Sequence, residues 1–122
     1  MGDPGHFVAI SSNSAHIARS GSAPYCASKA ALSMAIRAEA RDLARSYDLH
    51  TVIAYTYEPG WLEGTAMSND VASRYPGMQP HRMLGLDAGL PPSRLAGMIA
   101  YNLRHCGREL NGCVLRVDAG EQ

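Results

Sequence analysis

Two residues that could exchange and hold a proton stand four positions apart in this chain, Tyr25 and Lys29. Residues four apart on a helix lie on the same face, so the two side chains would meet there. A lysine ammonium stabilises a phenolate, which lets a tyrosine act as an acid or a base near neutral pH. Ser12 lies thirteen residues before the tyrosine, and its hydroxyl could hold a carbonyl oxygen beside the pair. The three residue types together indicate proton transfer at a carbonyl or an alcohol.

The segments that must position these residues alternate between strand and helix patterns. Residues 7–10 form a short apolar run, typical of a strand that is covered on both faces. A long alanine-rich helix is expected from Pro24 or Tyr25 to about Tyr47. The other predicted elements are a strand over 51–57, a sharp turn at 58–60, a short helix over about 69–75, a helix from 91 to about 107 and a strand over 112–117.

Both long helices carry apolar side chains at helical spacing. In the first helix most of them are small, which indicates either core packing or, in part, a subunit interface. These residues are Ala30, Ala31, Met34, Ala35, Ala38 and Leu43. In the last helix the predicted buried stripe is Leu95, Met98, Ile99 and Leu103.

The order of elements predicts an α/β fold. Strands separated by helices favour a parallel sheet built from βαβ units, in which ligands bind beyond the carboxyl ends of the strands. Ser12, the turn at Pro59–Gly60 and the segment 118–120 all follow predicted strands. We therefore expect them at one edge of the sheet.

Composition excludes several classes of function. The 122 residues carry 11 basic and 11 acidic side chains, so no basic field favours nucleic acid or a membrane surface. No signal peptide or membrane-spanning apolar stretch is recognisable. The three cysteines lack the spacing of a zinc site and the histidines are scattered, which predicts free thiols in a reducing cytoplasm and no metal. We expect one small domain over residues 1–122.

Four segments of the chain, in order, resemble the C-terminal half of a classical short-chain dehydrogenase/reductase. They are Val8–Ser12, similar to the strand that ends in the catalytic serine; Tyr25–Lys29, similar to the YxxxK helix; Pro59–Leu62, similar to the turn against the nicotinamide; and Gly112–Gly120, similar to the closing strand. The resemblance implies a partial Rossmann-like, doubly wound parallel sheet of about three strands, without the nucleotide-binding first half.

The resemblance also implies roles for individual residues. Tyr25 would be the general acid in ketone reduction and the base in alcohol oxidation, while Lys29 would stabilise its phenolate and hydrogen-bond the nicotinamide ribose. Ser12 would orient the substrate oxygen. The cofactor, NAD or NADP, would contact the chain at four further positions, Pro59, Gly60, Leu62 and Thr65. Gly64 looks like one residue more than the family pattern has before this threonine.

Several side chains admit two interpretations from the residues alone. Ser11 or Ser14 could replace Ser12 as the functional serine. Tyr57 and Trp61 could pack in the core or contact substrate, and His16 could face substrate or be a solvated loop residue. Three loop methionines could line a substrate pocket or fill a mobile segment: Met67, Met78 and Met83.

The resemblance covers only half of a family member, and this shapes the expected function. Without a glycine-rich turn that cradles the pyrophosphate, we expect weak or no binding of NAD(P) by the chain alone. The first strand and first helix would lack neighbours, which predicts a homo-oligomer or a second chain that supplies the other half. The substrate would be a small carbonyl or alcohol compound. The alternative is a non-catalytic remnant that serves as an oligomerising or interaction protein.

Overall fold

Strands and helices alternate along the chain in the predicted order. A computed structural model describes residues 3–46, 51–74 and 89–120. The elements are β1 (Gly5–Ile10), α1 (Ala23–Ser46), β2 (Val52–Pro59), α2 (Ala66–Arg74), α3 (Pro92–His105) and β3 (Val114–Val117), with 3-10 turns at Asn13–Ala15 and Arg108–Leu110.

The three strands form one parallel sheet in the order β1-β2-β3. Gly5 pairs with Val52 and Ile10 with Tyr57, so β1 lies alongside most of β2. On the other side, Thr56 pairs with Val114 and Pro59 with Val117. This arrangement confirms the predicted α/β fold, a partial Rossmann-like sheet of three parallel strands.

The core lies on both faces of β2, whose residues alternate between them. On one face Ile53, Tyr55 and Tyr57 pack with Leu90 and with Leu95 of α3. On the other face Ala54 packs with Ala9 of β1 and with α1, through Ile36 and Ala40. The two helices therefore cover opposite faces of the sheet, as a buried parallel sheet requires.

The predicted apolar faces of the helices are only partly buried. In α1 the buried positions are Ser33, Ile36 and Ala40, with Leu32 and Leu43 packed beside them. The predicted core positions Ala31, Met34, Ala35 and Ala38 are exposed. In α3 Leu95 is buried and Ile99 packs on the core, whereas Met98 and Leu103 are exposed. The expectation of burial is wrong at Met98 and Leu103, and core packing alone is wrong for the exposed face of α1, because a sheet of three strands reaches only one flank of each helix. The alternative interpretation of the α1 face, a subunit interface, stays a prediction.

Several element boundaries also differ from the expectation, since β1 begins at Gly5 and α3 spans Pro92–His105. The predicted turn at 58–60 is wrong in its first two residues, because β2 continues through Glu58 and Pro59. A proline fits this strand end, where a missing N–H breaks no further pairing. β3 begins at Val114, since Gly112 has a φ of +78° that no strand adopts. The helix predicted near 69–75 begins earlier, at Ala66. The predicted helix ends at Tyr47 and Tyr75 lie outside the described residues.

Within the described ranges, no helix is both long and apolar enough to cross a membrane. The side chains described there also bring together no group of three or more histidine, cysteine, aspartate or glutamate residues that could hold a metal ion. Cys26, Cys106 and Cys113 carry free thiols.

Candidate active site

The carboxyl ends of β1 and β2 bring Ser12 and Pro59 to the same edge of the sheet. Ile10 pairs with Tyr57, and the Ser11 N–H donates to the Tyr57 carbonyl at 2.8 Å, so the ladder continues past the end of β1. Ser12 lies two residues after Ile10, and Pro59 lies two residues after Tyr57. Adjacent strands are about 4.8 Å apart, so the serine loop and the segment after β2 begin side by side.

Ser12 opens the 3-10 turn of the serine loop, which we define as residues 11–17. Its backbone is extended, with φ −158° and ψ 153°, and its Oγ accepts a hydrogen bond from the Ser14 N–H at 3.1 Å. This bond uses a lone pair of the oxygen, so the hydroxyl proton stays available to a substrate oxygen. Ser12 itself is buried.

The neighbouring hydroxyl of Ser11 points elsewhere. Its Oγ donates to the Lys29 carbonyl at 3.0 Å, so its single proton is already used inside the protein. Of these two adjacent serines, the geometry favours Ser12 as the one that could meet a substrate.

Tyr25 and Lys29 lie on one face of the first turns of α1, as their spacing predicts. The Lys29 Nζ is 5.8 Å from the centre of the Tyr25 ring. The same Nζ donates to the Ile10 carbonyl at 3.4 Å, so the lysine reaches from the helix to the end of β1. Both side chains are half-buried. The structure thus brings the phenol, the ammonium and the strand that leads to Ser12 together.

The segment after β2 is held by backbone contacts to β3 and to Leu90, and by a capping contact to α2. The Gly60 N–H donates to the Val117 carbonyl at 2.9 Å, and Leu62 forms an isolated parallel bridge with Leu90. Thr65 precedes α2, and its Oγ1 accepts from the Ser68 N–H at 3.0 Å, a capping contact. Gly64, the additional residue, adopts a φ of +69°, which turns the chain into the helix.

The contact between Glu58 and His16, near the site, was not predicted from the sequence. Glu58 is fully buried, and its Oε1 lies 2.7 Å from the Ser33 hydroxyl. Its Oε2 lies against the Nδ1 of His16, which belongs to the serine loop. The signal in the sequence is a carboxylate at the end of a largely apolar strand, which the sequence pattern assigned to a turn.

The other ambiguous side chains separate by burial. Tyr57 is fully buried in the core, where its hydroxyl accepts from the Asn102 side chain at 2.6 Å. Trp61 is half-buried, and Met67 is exposed. Met78 and Met83 lie outside the described residues.

Asp118, directly after β3, ties the strand ends together. It is buried, and its Oδ2 accepts from Arg116 at 2.7 Å and from the Asn13 side chain at 3.5 Å. Its Oδ1 accepts from the Gly120 N–H at 3.2 Å. The serine loop is therefore fixed to β3 as well as to β1.

The sequence and the fold of this chain are similar to those of known proteins. The family model described as short chain dehydrogenase matches residues 1–76. No match was found among curated protein sequences. Among solved structures, a short chain dehydrogenase family protein from Francisella tularensis is 20% identical, with a TM-score of 0.81 over 98% of this chain and 51% of that chain.

Two further structures show the same relationship. A variant of actinorhodin polyketide ketoreductase, solved with NADPH, is 24% identical, with a TM-score of 0.79 over 96% of this chain and 47% of that chain. A short-chain type dehydrogenase/reductase from Mycobacterium marinum is 25% identical, with a TM-score of 0.77 over 96% and 44%. The chain thus spans about half the length of the solved structures that it matches.

The family match and the likeness to solved structures both agree with the three-stranded parallel sheet described above. Because the family model covers more than half of the residues, the chain belongs to the short chain dehydrogenase family.

Proposed function

We propose that this chain provides the catalytic part of an NAD(P)-dependent oxidoreductase that interconverts a ketone and a secondary alcohol. The observation that carries the proposal is the position of Lys29. Its ammonium lies 5.8 Å from the Tyr25 ring centre and donates to the carbonyl of Ile10, two residues before Ser12. A remnant without catalysis has no need of this convergence, so we favour the enzyme over the interaction protein.

In this proposal each side chain acts on a defined proton. Ser12 donates its free hydroxyl proton to the carbonyl oxygen of the substrate and holds it in place. The Tyr25 hydroxyl then gives its proton to that oxygen as the alcohol forms, and takes it back in the reverse reaction. The Lys29 ammonium stabilises the phenolate that remains, because an adjacent positive charge favours the ionised form.

The residues present fit the nicotinamide end of a dinucleotide. An ammonium has three hydrogens, and one of those on Lys29 is directed at the Ile10 carbonyl, so the others could bind a ribose hydroxyl and the phenol oxygen. Gly60, Leu62 and Thr65 would lie along the same end, with Pro59 before them. When bound, the nicotinamide supplies or accepts the hydride.

We propose further that the open edge of β1 is covered by the nucleotide-binding half, on the same longer polypeptide or on a second chain. Within the described residues β1 pairs only with β2. Phe7 and Ile10 are 58% and 40% exposed, and exposed apolar edge strands recruit further strands. A second copy of this chain would be the other way to cover the edge.

The chain alone should bind NADPH and NADH weakly or not at all, because association costs several kcal/mol that few contacts repay. Titration with reduced cofactor, followed by nicotinamide fluorescence, measures this. Light scattering on the same sample shows whether the chain is an oligomer. Micromolar binding would mean that an oligomer of this chain already forms a cofactor site, and would contradict the need for another half.

The catalytic proposal is tested in a protein that joins this chain to a glycine-rich nucleotide-binding half, encoded upstream of it or supplied by a second chain. Tyr25→Phe and Lys29→Met should each lower ketone reduction by about a hundredfold or more, the usual contribution of a general acid. Tyr101→Phe is the matched control, since Tyr101 is exposed on α3. Equal activity of Tyr25→Phe and the control would refute the assigned roles.

A further inference from the structure

A buried cluster of polar side chains connects the segments that carry the candidate site. We call Ser11, His16, Ser33 and Glu58 the polar cluster. The Ser33 hydroxyl lies 2.8 Å from the Ser11 Oγ and 2.7 Å from the Glu58 Oε1. Ser11 in turn donates to the Lys29 carbonyl at 3.0 Å. The cluster therefore runs from the end of β1, across α1, to the end of β2.

Glu58 is the unusual member, because it is a carboxylate with 0% of its surface exposed. Burial of an unpaired charge is strongly unfavourable. Oε1 has the Ser33 hydroxyl, whereas no hydrogen bond from the described residues reaches Oε2. The group against Oε2 is the imidazole of His16, with 48% of its side chain exposed. When it carries a second proton, this imidazole would be the counter-ion of an ionised Glu58.

His16 is also the residue that closes the turn opened by Ser12. Its backbone N–H donates to the Asn13 carbonyl at 3.0 Å, and the Ile17 N–H donates to the same oxygen at 2.9 Å. A contact that holds the His16 ring against Glu58 thus holds the serine loop against the strand that leads to Pro59. The Ser33–Ser11 contacts extend the same restraint to the backbone of Lys29.

We propose that Glu58 and His16 are positioning residues, which fix the serine loop relative to the end of β2 and to the lysine turn of α1. The catalytic consequence rests on the proposed function, whereas the restraint on the loop is a property of this chain alone. Neither residue belongs to the Tyr25–Lys29 pair or to Ser12, and neither is assigned contact with substrate.

Hydrogen–deuterium exchange with mass spectrometry tests the restraint on this chain without cofactor or activity. The amides of Ser14, Ala15, His16 and Ile17 are hydrogen-bonded within the serine loop. Glu58→Gln keeps the shape and an acceptor for Ser33 but removes the charge. It should speed exchange in the loop by about tenfold or more, because local opening no longer breaks a charged contact. Exchange in α3 should not change.

His16→Ala should have the same effect, and the double variant should exchange no faster than either single variant, because all three lose one contact. His16→Lys places a cation at this position and should recover most of the protection against exchange. If the imidazole acted only through its shape, lysine would not recover it. Glu39→Gln, exposed on α1, is the control. Unchanged loop exchange in His16→Ala overturns the proposal, and this variant decides alone if Glu58→Gln fails to fold.

The catalytic consequence is measured in the active two-half enzyme. His16→Ala should lower kcat by about tenfold with little change in the KM for cofactor, since misplacement of Ser12 affects the chemical step. An unchanged kcat would refute the claim that His16 positions Ser12 for catalysis, even if exchange in the serine loop becomes faster. If the unmodified enzyme reduces no ketone, the proposed function fails, and the exchange experiment alone then decides whether the pair restrains the loop.

Discussion

Asn111 provides the sharpest test of how this sheet is held together. β3 is shorter than β2, so the N–H of Ala54 has no strand partner on that side. The Asn111 side chain replaces it, with Oδ1 accepting from the Ala54 N–H at 3.0 Å and Nδ2 donating to the Ala40 carbonyl at 2.9 Å. One amide therefore satisfies the central strand and attaches it to α1. Asn111→Ala removes both bonds.

The size of the effect follows from the burial of the two partners. Ala54 is fully buried, and a buried donor without a partner costs about 1–3 kcal/mol. The Ala40 carbonyl lies within α1, where a helical N–H also reaches it, so its loss adds roughly 0.5–1.5 kcal/mol. Together, Asn111→Ala should lower the free energy of unfolding by about 2–4 kcal/mol, out of the roughly 5–15 kcal/mol typical of a small protein.

Urea denaturation followed by circular dichroism, at one fixed protein concentration, measures this difference. The midpoint should fall by about 1–2 M. Asn69→Ala is the matched control, because Asn69 is exposed on α2 and alanine is a good helix former. If Asn111→Ala unfolds at the same urea concentration as the control, the side chain does not replace a strand partner and the reasoning is wrong.

Three other substitutions have defined outcomes. Gly89→Ala places a Cβ 2.5 Å from the Cδ1 of Trp61 at a φ of +97°. It should lower the free energy of unfolding by about 1–3 kcal/mol and change the fluorescence of this single tryptophan. The control is Gly97→Ala in α3, whose Cβ has no atom within 4 Å and which should neither destabilise the fold nor change the fluorescence. Burial, and less strongly a neighbouring tyrosine, raises the pKa of Tyr55 from 10.0 to about 12. The fold therefore favours the neutral phenol. Its contribution to the free energy of unfolding is fully present below pH 10 and is lost as the pH rises to about 12. Tyr55→Phe should remove this loss of stability in melting curves measured across the same pH range. Ser12→Ala deletes the cap of the 3-10 turn and should cost roughly 1 kcal/mol in thermal unfolding; an unchanged melting temperature would contradict the capping bond.

Much of the fold could be predicted because its signals are local. The apolar run before Ser12 and the β-branched and aromatic residues of β2 each mark a strand. The expectation of burial on both faces holds for β2 but is wrong for β1, whose Phe7 and Ile10 are exposed. Pro92 marks the first turn of α3. The α/β order of elements follows from these patterns alone, and it is enough to place Ser12 and Pro59 at one edge.

The buried face of α1 could not be read in the same way. Its alanines satisfy several helical stripes at once, so the pattern does not select one. The sheet selects Ser33, Ile36 and Ala40, and a serine enters that face only because Ser11 and Glu58 provide polar partners from two strands. Such a choice depends on contacts between residues far apart in the chain.

The candidate site also has features that the sequence predicts and features that it does not. The Tyr25–Lys29 pair was predictable, because both residues are on one helix and their spacing fixes their relative position. The approach of Lys29 to the Ile10 carbonyl and of His16 to Glu58 was not, because each joins separate elements. An acidic residue at the end of an apolar strand is the signal that could have been followed.

The parallel sheet has a consequence for the order in which the chain folds. Ala9 and Thr56, hydrogen-bonded across β1 and β2, are 47 residues apart, and Ala54 is 57 residues from the Asn111 side chain that it binds. Non-local pairing of this kind slows folding, because loop closure is unfavourable until the distant partner arrives. During synthesis β1 must therefore wait for β2, and β2 for β3, with their strand edges unprotected. α1 lies between β1 and β2 in the chain and can form from local contacts before either pairing is made. The lysine-bearing helix is therefore a natural starting point for assembly of the site.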